Sequence, residues 1–173
     1  MKASVRPRPT TALRFGRYRS PVGVLGVLAS PAGLRALDWR LGQGAATGEP
    51  DETVQQVLTQ LEEYFAGQRQ HFEVVLDLLP MPAHTRAVLE AMAAIGYGET
   101  FTYAELGRRS GTGLPPRAIG SIMGANPVPV VIPCHRVVAS NGLGGFSGGE
   151  AGREIATKRW LLEMEGALPP TLI

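Results

Sequence analysis

The chain holds one cysteine, Cys134, and it stands beside one of only three histidines, His135. A free thiol has a pKa of about 8.5 and is only a few per cent thiolate at neutral pH, so a working cysteine requires a base or a positive field close by. His135 is a base of the right type. Adjacent side chains point to opposite faces of a strand and lie roughly 100° apart on a helix, so regular structure keeps the two from bonding directly. A bridging water, or a tight turn that swings both to one side, would be the relay. The imidazole needs a third group to fix its tautomer, and a carboxylate from elsewhere in the fold is the usual choice. In the apolar stripe Trp160, Leu161, Leu162 and Met164, Glu165 lies on the edge whereas Glu163 points away, so Glu165 is the better candidate. Each residue also has an ordinary reading. A cysteine in a valine-rich run is more often a small buried hydrophobe, a lone histidine is more often a satisfied core or surface group, and Glu165 fits a solvated helix end equally well.

The elements that must position these groups fall into two parts. The cysteine sits in Asn126-Pro127-Val128-Pro129-Val130-Val131-Ile132-Pro133-Cys134-His135-Arg136-Val137-Val138, so apolar and proline-stiffened that it must be packed inside. Upstream, residues 22–29 and 34–41 read as strands joined by the turn Ser30-Pro31-Ala32-Gly33. Apolar residues recurring at three and four over 51–66 make an amphipathic helix stopped by Gly67. Residues 72–79 alternate as a further strand extending the same sheet. Pro80-Met81-Pro82 then marks a boundary. The expected fold is a small α/β N-terminal domain over 1–79, an antiparallel sheet plus a helix, followed by a mostly α C-terminal domain over 80–173.

In the second part, 83–95 is helical. Thr102-Tyr103-Ala104-Glu105 forms a capping box that starts a helix ending near Gly111. Pro115-Pro116 leads the helix 117–124. Two short helices joined by a glycine-containing turn read as a helix-turn-helix. Ala118, Gly120 and Ser121 would let a DNA backbone or groove approach closely, while Ile119, Ile122 and Met123 fit the core. The glycine-dense stretch 140–149 lacks a phosphate-loop lysine and reads as a wall over the cysteine. A last helix covers 153–165.

Composition narrows the class. At 173 residues and 44% hydrophobic content the chain can bury one good core or two small ones. Its apolar runs fall short of a membrane span, no secretory signal is visible, and a cytoplasmic or nucleoid-associated protein is expected. One cysteine excludes an internal disulfide framework, and no zinc spacing is present, so neither metal nor cofactor is expected. A net charge of +2 does not announce a nucleic-acid binder. The excess lies in Lys2, Arg6, Arg8, Arg14, Arg17 and Arg19, read as a solvated basic tail.

Pro133-Cys134-His135-Arg136-Val137 preceded by Asn126-Pro127 resembles the active-site signature of the O6-alkylguanine-DNA alkyltransferases, the methylated-DNA–protein-cysteine methyltransferases. The resemblance runs from about Met81 to Gly166 and more weakly through the N-terminal part. It implies that Cys134 accepts an alkyl group from O6 of guanine in duplex DNA, once per molecule and without an obligate protein partner. His135 would act as base through a water. Glu165, in Trp160-Leu-Leu-Glu-Met-Glu165-Gly166, would hold His135, and Asn126 would brace the helix-turn-helix against the cysteine turn. Tyr103 would donate toward guanine N3. Arg117 would fill the base stack vacated by the flipped nucleotide, with Ala118, Gly120 and Ser121 against DNA. Ser147 would bond O6, and the backbone at Val137 and Val138 would accept from the exocyclic amine, with Met123 lining the pocket. Phe146 stands where many relatives have tyrosine, and the zinc ligands of some relatives are absent. Two other classes compete. A Cys-His hydrolase would turn over repeatedly, and a non-catalytic binder of alkylated DNA would retain its activity without Cys134.

Overall fold

The computed structural model describes residues 12–45 and 48–171. Three antiparallel strands, β1 (Arg14–Ser20), β2 (Gly23–Ser30) and β3 (Gly33–Asp38), form one sheet in sequential order. β1 departs from the expected tail. Arg14, Arg17 and Arg19 are exposed, while Phe15 and Gly16, on opposite faces, are buried and Ser20 closes the turn by donating to Gly23 O at 2.6 Å. The basic side chains hid a strand whose buried positions are few. Lys2, Arg6 and Arg8 lie outside the described residues.

The second expected strand stops early. Asp38 accepts from the Leu41 amide at 2.6 Å and so caps a short helix, α1 (Trp39–Gln43), instead of extending the strand to 41. Gly42 is required there, because a side chain would collide with the Val24 carbonyl of β2. α2 (Glu52–Phe65), capped by Asp51, lays Val54, Val57, Leu61 and Tyr64 on the sheet, all fully buried. Each contributes roughly 1.5–3 kcal/mol of burial.

Residues 72–79 run extended but do not become a sheet strand. Among the described residues Leu34 alone makes a β-bridge with them, through its amide to Val75 O and its carbonyl to the Asp77 amide, both 2.8 Å. Further along, the amide of Leu37 is taken by Pro127 O at 2.9 Å. The edge of β3 is thus shared between the 72–79 segment and the run leading to Cys134, and neither pairs with its full length.

Beyond the prolines lie α3 (Ala83–Ala93), α4 (Tyr103–Arg109), α5 (Pro116–Gly124) and α6 (Glu154–Met164). α4 begins on the expected capping box, Thr102 Oγ1 taking the Glu105 amide at 3.2 Å and Glu105 taking the Thr102 amide at 2.7 Å. An unexpected short parallel pair, β4 (Phe101–Thr102) with β5 (Val137–Val138), ties the start of α4 to the chain just after the cysteine. That pairing sets Tyr103 beside the site. No described helix is long and apolar enough to cross a membrane.

Candidate active site

Cys134, His135 and Arg136 form a single 3-10 turn. Its approach is unusual, because Val130 holds a φ of 75°, a left-handed conformation that β-branched residues rarely adopt. Such a residue costs on the order of 1–3 kcal/mol and persists only where packing fixes it. Here Val130 is buried, and the Ile132 amide bonds Val128 O at 2.9 Å across the bend. Asn126 spans the same bend from inside. Its Nδ2 donates to Ile132 O at 2.8 Å and its Oδ1 accepts from the Val128 amide at 3.1 Å, which fixes both ends of the segment between α5 and the turn.

Behind the turn, Glu165 is fully buried and surrounded by donors. His135 Nε2 lies at 2.8 Å, Arg136 Nε and Nη2 at 2.8 and 2.9 Å, Tyr64 OH at 2.6 Å and the Gly98 amide at 3.4 Å. Burial would raise this carboxyl, but the bonds from His135 and Arg136 outweigh it and hold the group well below the usual carboxylate range. An ionised carboxylate can only accept, so the proton on His135 is assigned to Nε2. Burial chiefly lowers the pKa of His135, partly opposed by Glu165, so the ring is neutral and Nδ1 keeps its lone pair. Nδ1 is buried and has no protein partner among the described residues. The imidazole therefore makes no direct bond to the sulfur.

Burial also raises the pKa of Cys134, partly offset by a hydrogen bond from Asn126 and by the charge of Lys158. Lys158 is fully enclosed, its Nζ donating to Val137 O at 2.6 Å and Gly145 O at 2.9 Å. Burial pushes it down to about 8, with Cys134 pulling the other way. The ammonium joins the cysteine turn to the glycine loop and places positive charge near the sulfur.

In front of the turn, Cys134 lines a cavity of about 290 Å³ together with Tyr103, Gly120, Met123, Phe146 and Ser147. A second cavity of about 250 Å³ is also lined by Cys134, together with Asp38, Trp39 and Arg40. Cys134 is 3% exposed and contributes to the lining of both.

Residues 83–167 match the family described as "6-O-methylguanine DNA methyltransferase, DNA binding domain", and residues 13–78 match its ribonuclease-like domain. A methylated-DNA–protein-cysteine methyltransferase of Methanopyrus kandleri is 38% identical over 128 residues, 74% of this chain and 92% of the relative. The chain belongs to the O6-methylguanine-DNA methyltransferase family. A second relative of the same name, from Metallosphaera sedula, is 33% identical over 90% of this chain and 95% of its own. The crystal structure of the Mycobacterium tuberculosis O6-methylguanine methyltransferase superposes with a TM-score of 0.78 at 30% identity, covering 93% of this chain and 97% of that one. A complex of Mycobacterium tuberculosis OGT with DNA superposes at 0.75 and 34% identity, covering 90% and 92%.

In this member of the methyltransferase family, Cys134, His135, Glu165 and Asn126 converge on one turn, and Tyr103, Met123 and Ser147 converge on the cavity before it. Tyr103 OH lies 3.5 Å from Gly145 O, and Ser147 Oγ 3.4 Å from Gly124 O, both long contacts at an exposed rim. Arg117 and Ser121 are exposed on α5, and Ala118 and Gly120 half-exposed. They lie outside the cysteine turn, Gly120 alone of the four lining the cavity. The Val137 carbonyl, expected to face the base, is already engaged by Lys158 and offers only its second lone pair. Arg136, Tyr64 and Lys158 were missed in the sequence. Lys158 had a signal, since it precedes Leu161, Leu162 and Glu165 by three, four and seven residues, the spacing of one helix face. It is also one of two lysines in a chain whose other cations are arginine.

Proposed function

We propose that this family member repairs duplex DNA by moving the alkyl group of an O6-alkylguanine onto Cys134 in a single, irreversible turnover. The observation that carries this is a cysteine in the lining of two cavities, backed by a neutral imidazole whose other nitrogen is held by an ionised, buried carboxylate. His135 Nδ1 takes the thiol proton through a water. The thiolate attacks the alkyl carbon in line, the carbon–oxygen bond breaks, and its electron pair returns to the purine, which is reprotonated as guanine. Nothing beyond the two reactants is consumed. Tyr103, at the cavity edge, would donate to guanine N3 and stabilise the leaving base. Thioethers resist water, which accounts for one turnover.

The alkyl carbon is inaccessible within a stacked duplex, so the nucleotide must be everted at a cost of a few kcal/mol. Arg117 would occupy the vacated stack, with Ala118, Gly120 and Ser121 of α5 against the backbone. Arg108 and Arg109 at the end of α4 and Arg117 in the first turn of α5 suit a polyanion, and α5 carries no acidic residue. Ser147 and the backbone at Val137 and Val138 would recognise the base, and O4-alkylthymine is a second candidate of similar shape. Residues 80–173 would carry both DNA contact and chemistry, with 1–79 as scaffold. The site works without a cofactor or obligate protein partner, in the cytoplasm or on the nucleoid.

Mass spectrometry after mixing with duplex DNA containing O6-methylguanine tests this. The protein should gain one methylene of mass on Cys134 and the DNA should return to guanine. Repeated turnover on an ester would instead support a hydrolase, and DNA binding without mass gain a non-catalytic binder.

A further inference from the structure

Besides Tyr64 behind the turn, the N-terminal unit reaches the cavities at the corner where β3 passes into α1. Trp39 stands there, 2% exposed, with Nε1 donating to Val22 O at 2.9 Å. Its ring meets Phe146 edge-on, centroids 6.4 Å apart and planes at 79°. Gly148 is pressed between them, since a side chain there would lie 2.6 Å from Phe146 Cζ and 2.8 Å from Trp39 Cζ3. Phe146 is a wall of the 290 Å³ cavity, and Trp39 is a wall of the neighbouring one; both cavities include Cys134 and Ser147. The indole therefore backs the partition between two approaches to the sulfur. The same corner is registered against the cysteine run by the bond from the Leu37 amide to Pro127 O. Lys158 holds the same loop at Gly145 O from the other side, whereas side chains added at Gly142 or Gly145 would meet nothing within 4 Å, so the Phe146–Gly148 stretch takes its ring contact from Trp39.

We propose that Trp39 is a positioning residue for alkyl transfer: acting through Phe146 and Gly148, it fixes from the N-terminal unit the wall against which the everted base must fit. This rests on alkyl transfer to Cys134 as proposed above. Edge-to-face aromatic pairs are oriented contacts whose loss corresponds to roughly a two- to ten-fold effect.

The test uses the full chain and duplex DNA bearing one O6-methylguanine. DNA affinity and the first-order transfer rate at saturation are measured separately for the native protein, Trp39→Phe, Phe146→Leu and the double variant. Each single change should slow transfer roughly two- to ten-fold with affinity unchanged. The double variant should be no slower than the slower single, because both remove one contact. A native rate in either single variant, or multiplied losses in the double, overturns the proposal. If Trp39→Phe does not fold, the indole is read in place. Trp160→Phe with Cys134→Ala leaves Trp39 as the one tryptophan. Its emission should change on binding the lesion duplex and stay constant with undamaged duplex, and an equal response to both overturns the proposal. Absence of transfer in the native protein would instead remove the alkyl-transfer reading itself.

Discussion

Behind Cys134, Glu165 gathers bonds from His135, Arg136 and Tyr64 with no exposed atom, and Arg136 donates again to Ile95 O at 2.6 Å. In front of it, the loop through Gly145, Phe146 and Ser147 makes long contacts at an exposed rim. The two sides obey different rules. A charge out of water must have its partners, so the Glu165 carboxylate is filled with donors and the members of the rear network depend on one another. The rim, which on the proposed function admits the base, keeps its polar groups near water, where each one matters less. Chemistry and folding are joined on the first side, whereas recognition is separable from folding on the second.

Changes at the two sides should therefore separate in kind as well as size. Cys134→Ala should abolish transfer while leaving DNA binding and thermal stability close to native; a residual mass gain on the protein would sink the nucleophile assignment. Glu165→Ala leaves the Arg136 guanidinium buried without its anion and should cost about 3–5 kcal/mol in urea unfolding. A loss below 1 kcal/mol would mean that the rear network is no more demanding than the rim.

Acid sharpens the same contrast. Because the folded pKa of Glu165 is depressed, its stabilisation is full above the unfolded value of about 4.3 and is lost as pH falls toward the folded one. The melting temperature should drop steeply below about pH 4.3 in the native protein and more gently in Glu165→Gln. At the other end, Lys158 loses its charge near pH 8, so the rise of transfer rate with pH should flatten there. Lys158→Met should lower the neutral rate several-fold, because its ammonium favours the thiolate, and remove the flattening.

On the rim the effects should be smaller and confined to DNA. Arg117→Ala should slow transfer several-fold with unfolding free energy changed by no more than about 0.5 kcal/mol. Ser147→Ala should have the least effect, a slower transfer and an unaltered melting curve. If either destabilised the protein as Glu165→Ala does, the division drawn between rear and rim would fail.

Much of this was written in local patterns. The capping box Thr102-Glu105, the stripe of α2 and the proline start of α5 depend on neighbours within one or two turns, and such signals survive without the fold. Glu165 could be nominated as the partner of His135 because helix periodicity says which way a side chain faces. β1 is hard to see in the sequence because arginines at 14, 17 and 19 surround its few buried residues, and 72–79 reads as a full strand because alternation does not show that Pro127 already occupies the neighbouring edge.

The sequence by itself determined the candidate thiol, the imidazole beside it and the helices on either side of their turn, since these follow from residue type and short-range spacing. Only the tertiary structure decided that Tyr64, 101 residues from Glu165, shares its carboxylate with Arg136, and that Trp39 stands against the loop beside the sulfur. Hydrogen bonds and ring contacts depend on distances of a few ångströms, and separation along the chain sets no such distance until the chain has folded.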